Sequence, residues 1–353
     1  MQGMLKFILL AGVIGATSFP TAFAAQAATA LVQSETQQVG PIEAAARQAW
    51  RENMAQIATP AEGCFHATYP SILWEQVACK QLASNMHMLP ASLRKQPFQV
   101  QTAGNGNDYV LQAPGAKLIS QTVGSFPSVT GVTSVESVGV PAYGGGGILG
   151  PNEYTLQINS QFTSTTPACR NQPGCTVWQQ FVYSPDYMVQ GEAAVFMEYW
   201  LVGYGYNPCP VGWFSDGYGD CVRNSNYVAA PDVPISELGS LALTGTATAA
   251  GNDTITFSYG TDAYSFSAKD SVVYLSTIWN QSEFNVVGNA GGSQAVFNSG
   301  SAITVNVAAN YGGTAKPSCI ANAGTTGESN NLNLGPCSAF GGASPYIQFT
   351  QSN

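Results

Sequence analysis

The sequence predicts an all-β chain, a β-sandwich or barrel, and three observations carry that reading. The 353 residues are rich in Gly, Tyr, Phe, Ser, Thr and Val, with only 9% charged residues, a composition that suits pleated surfaces and turns. From Gly63 onward, short runs of alternating apolar and polar residues are separated by Gly, Pro, Asn and Ser, the texture of many short strands. One segment alone carries clear helical spacing: IEAAARQAWRENMAQI (42–57), with Ile42, Ala45, Ala46, Ala49, Trp50 and Ile57 in register.

The elements follow in chain order. Lys6, the apolar run FILLAGVIGA from Phe7 and the small residues of AFA (22–24) read as a secretory signal ending at Ala24, with AQA (25–27) as a second cleavage point. A membrane anchor is the competing reading, but the run is short for a span. Residues 25–62 then form either a propeptide or an N-terminal helical leader packed on the sheet. The β-domain spans 63–353. Its strands are expected at 72–78, 97–102, 108–112, 117–124, 153–162, 176–183, 194–202 and 238–247, then at 253–258, 263–268, 283–288, 293–298, 302–308 and 345–350. YGGGGILG (143–150) and GNGND (104–108) lack the following helix or GK[ST] of a phosphate cradle, so both are loops. Segment 203–236, with its own cysteine pair, reads as an insertion.

Eight cysteines fall into four close couples: Cys64 with Cys79, Cys169 with Cys175, Cys209 with Cys221, and Cys319 with Cys337. An even count in an exported chain points to disulfides. Of the roughly 105 possible connectivities, couples that each flank one loop favour nearest neighbours. A zinc site has little support, because no CxxC occurs and the only histidines are His66 and His87.

Charge and histidine usage limit the function. Net −9 with a pI near 4.6 argues against nucleic acid or an anionic membrane as partner. So few carboxylates are also compatible with an acidic workplace, since acid denaturation works by protonating them. Both histidines lie in the first quarter of the chain, no G-x-S-x-G or H-E-x-x-H occurs, and paired cysteines leave no thiol nucleophile. His66 reads as structural, and His87 has no evident partner. Carboxylates, amides and aromatics remain, which points to carboxylate-led hydrolysis of peptides or glycosides, or to no catalysis.

Three aromatic-rich strands hold the candidates. VWQQFVY (177–183) has adjacent Gln179 and Gln180, which face opposite sides of a regular strand. VFMEYWL (195–201) sets Glu198 beside Tyr199 and Trp200, and SEFNVVG (282–288) places Glu283 before Phe284. With KLISQTVGSFPSV (117–129), YTLQINS (154–160) and the closing AITVNVA and YIQFT, these segments resemble, in the same order, the glutamic peptidases of the eqolisin type over roughly residues 95–350. The plant neprosin-type peptidases, which use two glutamates, are more distantly similar. The strand that is Trp-x-Gly-Ile-Asp-Gly in eqolisins reads Ile158-Asn159-Ser160 here without its Trp, and Gln180-Phe181 replaces a small-Gly pair.

The resemblance implies a concanavalin A-like jelly-roll sandwich and a secreted, acid-active endopeptidase without cofactor, acting on protein or peptide as a monomer. It assigns catalysis to Gln179, selected over Gln180 because a Val follows three residues later, and to Glu283, with Glu198 and Trp200 lining the substrate cleft. A Glu surrounded by aromatics loses hydration, so its pKa rises and it can shuttle a proton, while a Gln amide can hold the water and the developing oxyanion. That pairing requires Gln179 and Glu283 to point into one cleft. The competing readings are a lectin-like carbohydrate-binding sandwich, a glycosidase using Glu198 and Glu283, and a secreted structural or surface protein with no site.

Overall fold

A computed structural model describes residues 40–82, 107–162, 164–205, 207–321 and 327–353. The signal segment, residues 25–39, the strand expected at 97–102 and His87 lie outside the described residues. The chain divides into two compact units, 1–46 and 47–353. Residues 40–46 of the first begin helix α1 (Pro41–Met54), which opens with Pro41, suited to a helical first turn because its missing N–H has no partner there anyway.

In the larger unit the strands are β1 (Gly63–Thr68), β2 (Glu75–Val77), β3 (Tyr109–Gln112), β4 (Gln121–Thr130), β5 (Val135–Gly139), β6 (Gly150–Pro151) and β7 (Thr155–Ser160). The long hairpin of β8 (Thr176–Val189) and β9 (Glu192–Val202) follows, then β10 (Phe214–Ser215), β11 (Cys221–Asn224), β12 (Val228–Pro231) and β13 (Ala242–Thr246). A second hairpin joins β14 (Asn252–Tyr259) to β15 (Asp262–Lys269), turning at Gly260 with φ 60°. Last come β16 (Gln281–Val287), β17 (Ser293–Phe297), β18 (Ala302–Asn310), β19 (Ser318–Ala321), β20 (Ser329–Asn330), β21 (Asn333–Phe340) and β22 (Tyr346–Ser352).

Two antiparallel nine-stranded sheets form the β-sandwich that the sequence predicts. The back sheet runs β2-β1-β15-β14-β13-β4-β18-β22-β21, and the front sheet runs β10-β11-β9-β8-β7-β16-β3-β19 with β12 also paired to β9. A small sheet, β20-β17-β5-β6, has its own strand ladder and packs Val135, Ala295 and Phe297 into the same core. The core lies between the large sheets, where Phe181, Tyr183, Phe284 and Trp279 meet Phe257, Phe126 and Val305. Tyr183 stacks on Phe257 with ring centroids 4.0 Å apart. Gly124 of β4 makes room for Phe284, since a Cβ there would sit 2.2 Å from the ring. Glu283 precedes that anchored Phe, so the alternation of strand side chains sends its carboxyl to the opposite face of the front sheet.

The disulfides join the nearest-neighbour couples, with Cα–Cα separations between 5.3 and 6.3 Å. Cys319–Cys337 ties edge strand β19 of the front sheet to edge strand β21 of the back sheet. Within segment 203–236, β11 and β12 both pair with β9 and continue the front sheet. The C-terminal half of α1 packs on the back sheet. Trp50 and Met54 are buried with Ala67 and Ala263, and the Trp50 indole N–H donates to the Ser71 carbonyl at 2.7 Å.

Some strand limits differ from expectation. The segment from Lys117 enters the sheet only at Gln121, because the Ile119 amide donates to the loop carbonyl of Trp279 and the Ser120 amide meets only the last residue of β18, Asn310. Residues 235–240 form a 3-10 turn before β13. His66 is structural as expected: on β1 it meets Asp262 at 2.8 Å and lies against Tyr264.

Candidate active site

The outer face of the front sheet is polar and buried. Direct cross-strand partners set Glu283 (β16) opposite Asn159 (β7), Asn159 opposite Gln180 (β8), and Gln180 opposite Glu198 (β9). Because directly opposed residues share a face, the four side chains form one row across four strands. A second row beside it contains Asn285 opposite Gln157. In a half-solvated sheet such a face would be exposed, yet Glu283, Asn159, Gln180 and Glu198 are each at most 4% exposed.

Hydrogen bonds run along the row. Asn159 Nδ2 donates to Glu283 Oε2 at 2.5 Å, and Gln180 Nε2 donates to Gln157 Oε1 at 3.1 Å. The Trp200 indole N–H is shared between Glu198 Oε1 at 2.6 Å and Gln180 Oε1 at 3.2 Å. Gln157 Nε2 reaches a further acid, Glu328, at 2.8 Å. Asn159 Oδ1 and Asn285 Nδ2 are buried and have no partner among the described residues, leaving polar atoms beside Glu283 for a water or substrate to satisfy.

Burial governs the electrostatics here. It pushes the Glu198 and Glu328 carboxyls up to about 8, opposed at Glu198 by the Trp200 bond and at Glu328 by the Gln157 bond. Glu283 lies well above the usual carboxylate range, first through burial, then through the negative charge and hydrogen bond of Asp108, against the pull of Asn159. A cavity of about 10 Å³, room for about one water, is lined among others by Gln157, Gln180, Glu198, Tyr187, Asn289 and Glu328, and Glu283 is not part of its lining. Pockets that engulf small ligands start near 300 Å³, so binding a peptide across this face requires it to open further.

The structure does not bring Gln179 to Glu283. Gln179 leaves the inner face of β8, where its Nε2 donates to Asp253 Oδ2 of the back sheet at 3.0 Å and lies 3.5 Å from Met197 Sδ. The physical reason is the alternation of β8: Val177, Gln179, Phe181 and Tyr183 face the inter-sheet core, and Trp178, Gln180 and Val182 face outward. Gln180 is the glutamine that shares a face with Glu283. Glu198 lies on that face. Trp200 does too, stacked on Trp178 at 6.0 Å within a cluster with Phe162 and Val222, so it packs and donates at once. Glu198 and Glu283 stand three strand steps apart, about 14 Å between backbones at roughly 4.8 Å per step, with Asn159 and Gln180 between them. Sequence reasoning gave no role to Asn159, Asp108, Gln157 or Glu328. The departure of Asn159 from an Asp was the one available signal.

Fold and site together define an all-β sandwich whose front sheet carries a buried, amide-lined row of carboxyls with raised proton affinity. No protein-family model matches the chain, and no curated protein matches it. Among solved structures, it is similar to Scytalido-glutamic peptidase bound to a peptide-based transition-state analog, at 12% identity and a TM-score of 0.30 over 71% of this chain and 99% of that one. It is also similar to the kappa-carrageenase from Pseudoalteromonas carrageenovora in complex with an oligotetrasaccharide of kappa-carrageenan, at 7% identity and a TM-score of 0.26 over 84% of this chain and 96% of that one.

Proposed function

We propose that the protein is an exported hydrolase of peptide bonds, with Glu283 as its acid/base and Gln180, in place of Gln179, as the amide partner. The observation that carries this reading is the row Glu283–Asn159–Gln180–Glu198, which puts a proton-holding carboxyl beside two amides on one buried face. Glu283 takes a proton from water as the water oxygen attacks the carbonyl carbon. An amide hydrogen of the row donates to the carbonyl oxygen as negative charge develops on it, and Glu283 then returns the proton to the leaving amine. The Gln180 Nε2 group has two hydrogens and spends one on Gln157, so the second is available to substrate. Four disulfides suit an oxidising compartment, in keeping with the signal-like N-terminus.

The test is a substrate panel. The protein, with and without preincubation at pH 3 to let the face open, is mixed with denatured casein and separately with sulfated and neutral polysaccharides. Products are read by mass spectrometry. Peptides from casein support the reading. Oligosaccharides without peptides would move the chain to glycoside hydrolysis, and no product from either substrate would refute hydrolase function.

A further inference from the structure

We propose that Asp108 is the second carboxyl of the reaction centre and holds a single proton jointly with Glu283, so that the pair supplies an acid and a base at once. This rests on the peptidase reading above and assigns its proton donor.

The placement follows from register. β3 and β16 are antiparallel neighbours with Ser282 opposite Leu111 and Gln281 opposite Gln112. The pairing ends at Ser282 and Leu111, and from there the antiparallel chains run Asp108, just before β3, alongside the stretch of β16 that carries Glu283. Both are 1% exposed, and their carboxyls hydrogen-bond each other. The backbone beside Asp108 is pinned: Asn107 Nδ2 donates to the Leu332 carbonyl at 3.0 Å, and Gln351 Nε2 donates to the Asn107 carbonyl at 2.6 Å.

Two touching buried carboxyls cannot both ionise cheaply, so one proton stays between them over a wide pH range. Asn159 donates to Glu283 Oε2 and so favours charge on Glu283, leaving the proton on Asp108, whose O–H donates to Glu283. Among the described residues, the other titratable groups around the pair are Glu328 and, further along the row, Glu198. Both are acids, and Glu328 adds to the resistance to a second charge. A lone buried Glu would be protonated, and useless as a base, in the acidic range the sequence suggests. A pair with one proton keeps a base there.

The step balances. As the C–O bond forms, the attacking water gives a proton to Glu283 and Asp108 gives its proton to the carbonyl oxygen, yielding a neutral gem-diol. When the C–N bond breaks, Glu283 protonates the amine and one hydroxyl returns its proton to Asp108. The pair ends as it began.

The experiment compares wild type with D108N and D108E, following kcat/KM on a casein-derived peptide against pH and the side-chain carboxyl ¹³C shifts of Asp108 and Glu283 against pH, with folding checked by near-UV circular dichroism. Expected are two-step titrations at both carboxyls in wild type. In D108N the activity falls at least about 100-fold and Glu283 titrates in one step, with no second carboxyl to share its proton. D108E, which restores a carboxyl, recovers part of the activity, and this carries the conclusion if D108N does not fold. Independent one-step titrations in wild type would overturn the proposal, as would D108N with wild-type activity. Coupled titration in a wild-type protein without peptidase activity would sink the peptidase reading while leaving the shared proton standing.

Discussion

Replacing Gln179 or Gln180 with leucine should separate the two in turnover, because only Gln180 shares a face with Glu283. Gln179→Leu removes the 3.0 Å bond to Asp253. Asp253, pushed well above the usual carboxylate range by burial and by Asp270, is left buried without that donor, and its Oδ1 has no partner among the described residues. The substitution also removes the Gln179 carbonyl oxygen, which is buried without a partner. The net cost is about 1–3 kcal/mol, that of leaving a buried polar group unsatisfied. Gln180→Leu breaks two bonds, but Trp200 keeps Glu198 at 2.6 Å and Gln157 Oε1 keeps Asn159 at 3.3 Å. No partner is orphaned, and the cost is about 1–2 kcal/mol. Turnover separates them. Losing a donor to the oxyanion raises the barrier by about 3–4 kcal/mol, roughly 10²–10³ in kcat, and only Gln180 faces Glu283. Urea unfolding gives the stabilities, and peptide hydrolysis in acid gives kcat. A Gln179→Leu protein that is folded but inactive, beside an active Gln180→Leu protein, would refute the assignment from strand alternation.

Two further outcomes follow from the same geometry. Glu198 and Glu328 have folded pKa values near 8 against about 4.3 unfolded, so the native state binds more protons. Their contribution is intact below about pH 4 and is lost as pH rises toward 8, by up to about 1.4 kcal/mol per pH unit per group; urea midpoints should therefore fall between pH 4 and 8, and a rise would contradict the burial of these acids. Gly124→Ala should destabilise by about 1–3 kcal/mol or more, because its Cβ would meet the Phe284 ring at 2.2 Å; an unchanged midpoint would mean that Phe284 does not anchor the strand of Glu283.

The strands that form the β8–β9 hairpin were legible at 176–183 and 194–202 because both runs are rich in aromatic and β-branched residues, and the disulfides were legible because each couple closes a short loop. Which glutamine faces the site was not. Strand β8 is buried on both faces from Val177 to Tyr187 apart from Asp186, so TVWQQFVY has no polar–apolar alternation to fix its parity. The cue of a following Val selected Gln179, and packing of Phe181 and Tyr183 into the inter-sheet core selected Gln180 for the other face. Strand β21 was missed because it contains Gly335 and Pro336, which an edge strand tolerates where its ladder shifts register. Asp108 sits far from Glu283 in sequence, and only the pairing of β3 with β16 brings them together.

The central claim is that Glu283 carries the proton in peptide hydrolysis. Its most direct measurement is kcat/KM of wild type and Glu283→Gln on one peptide at acidic pH, with both proteins shown to be folded. The isosteric amide keeps the shape of the row and cannot shuttle a proton, so a loss of at least about 100-fold is expected. Equal rates for the two proteins would contradict the account.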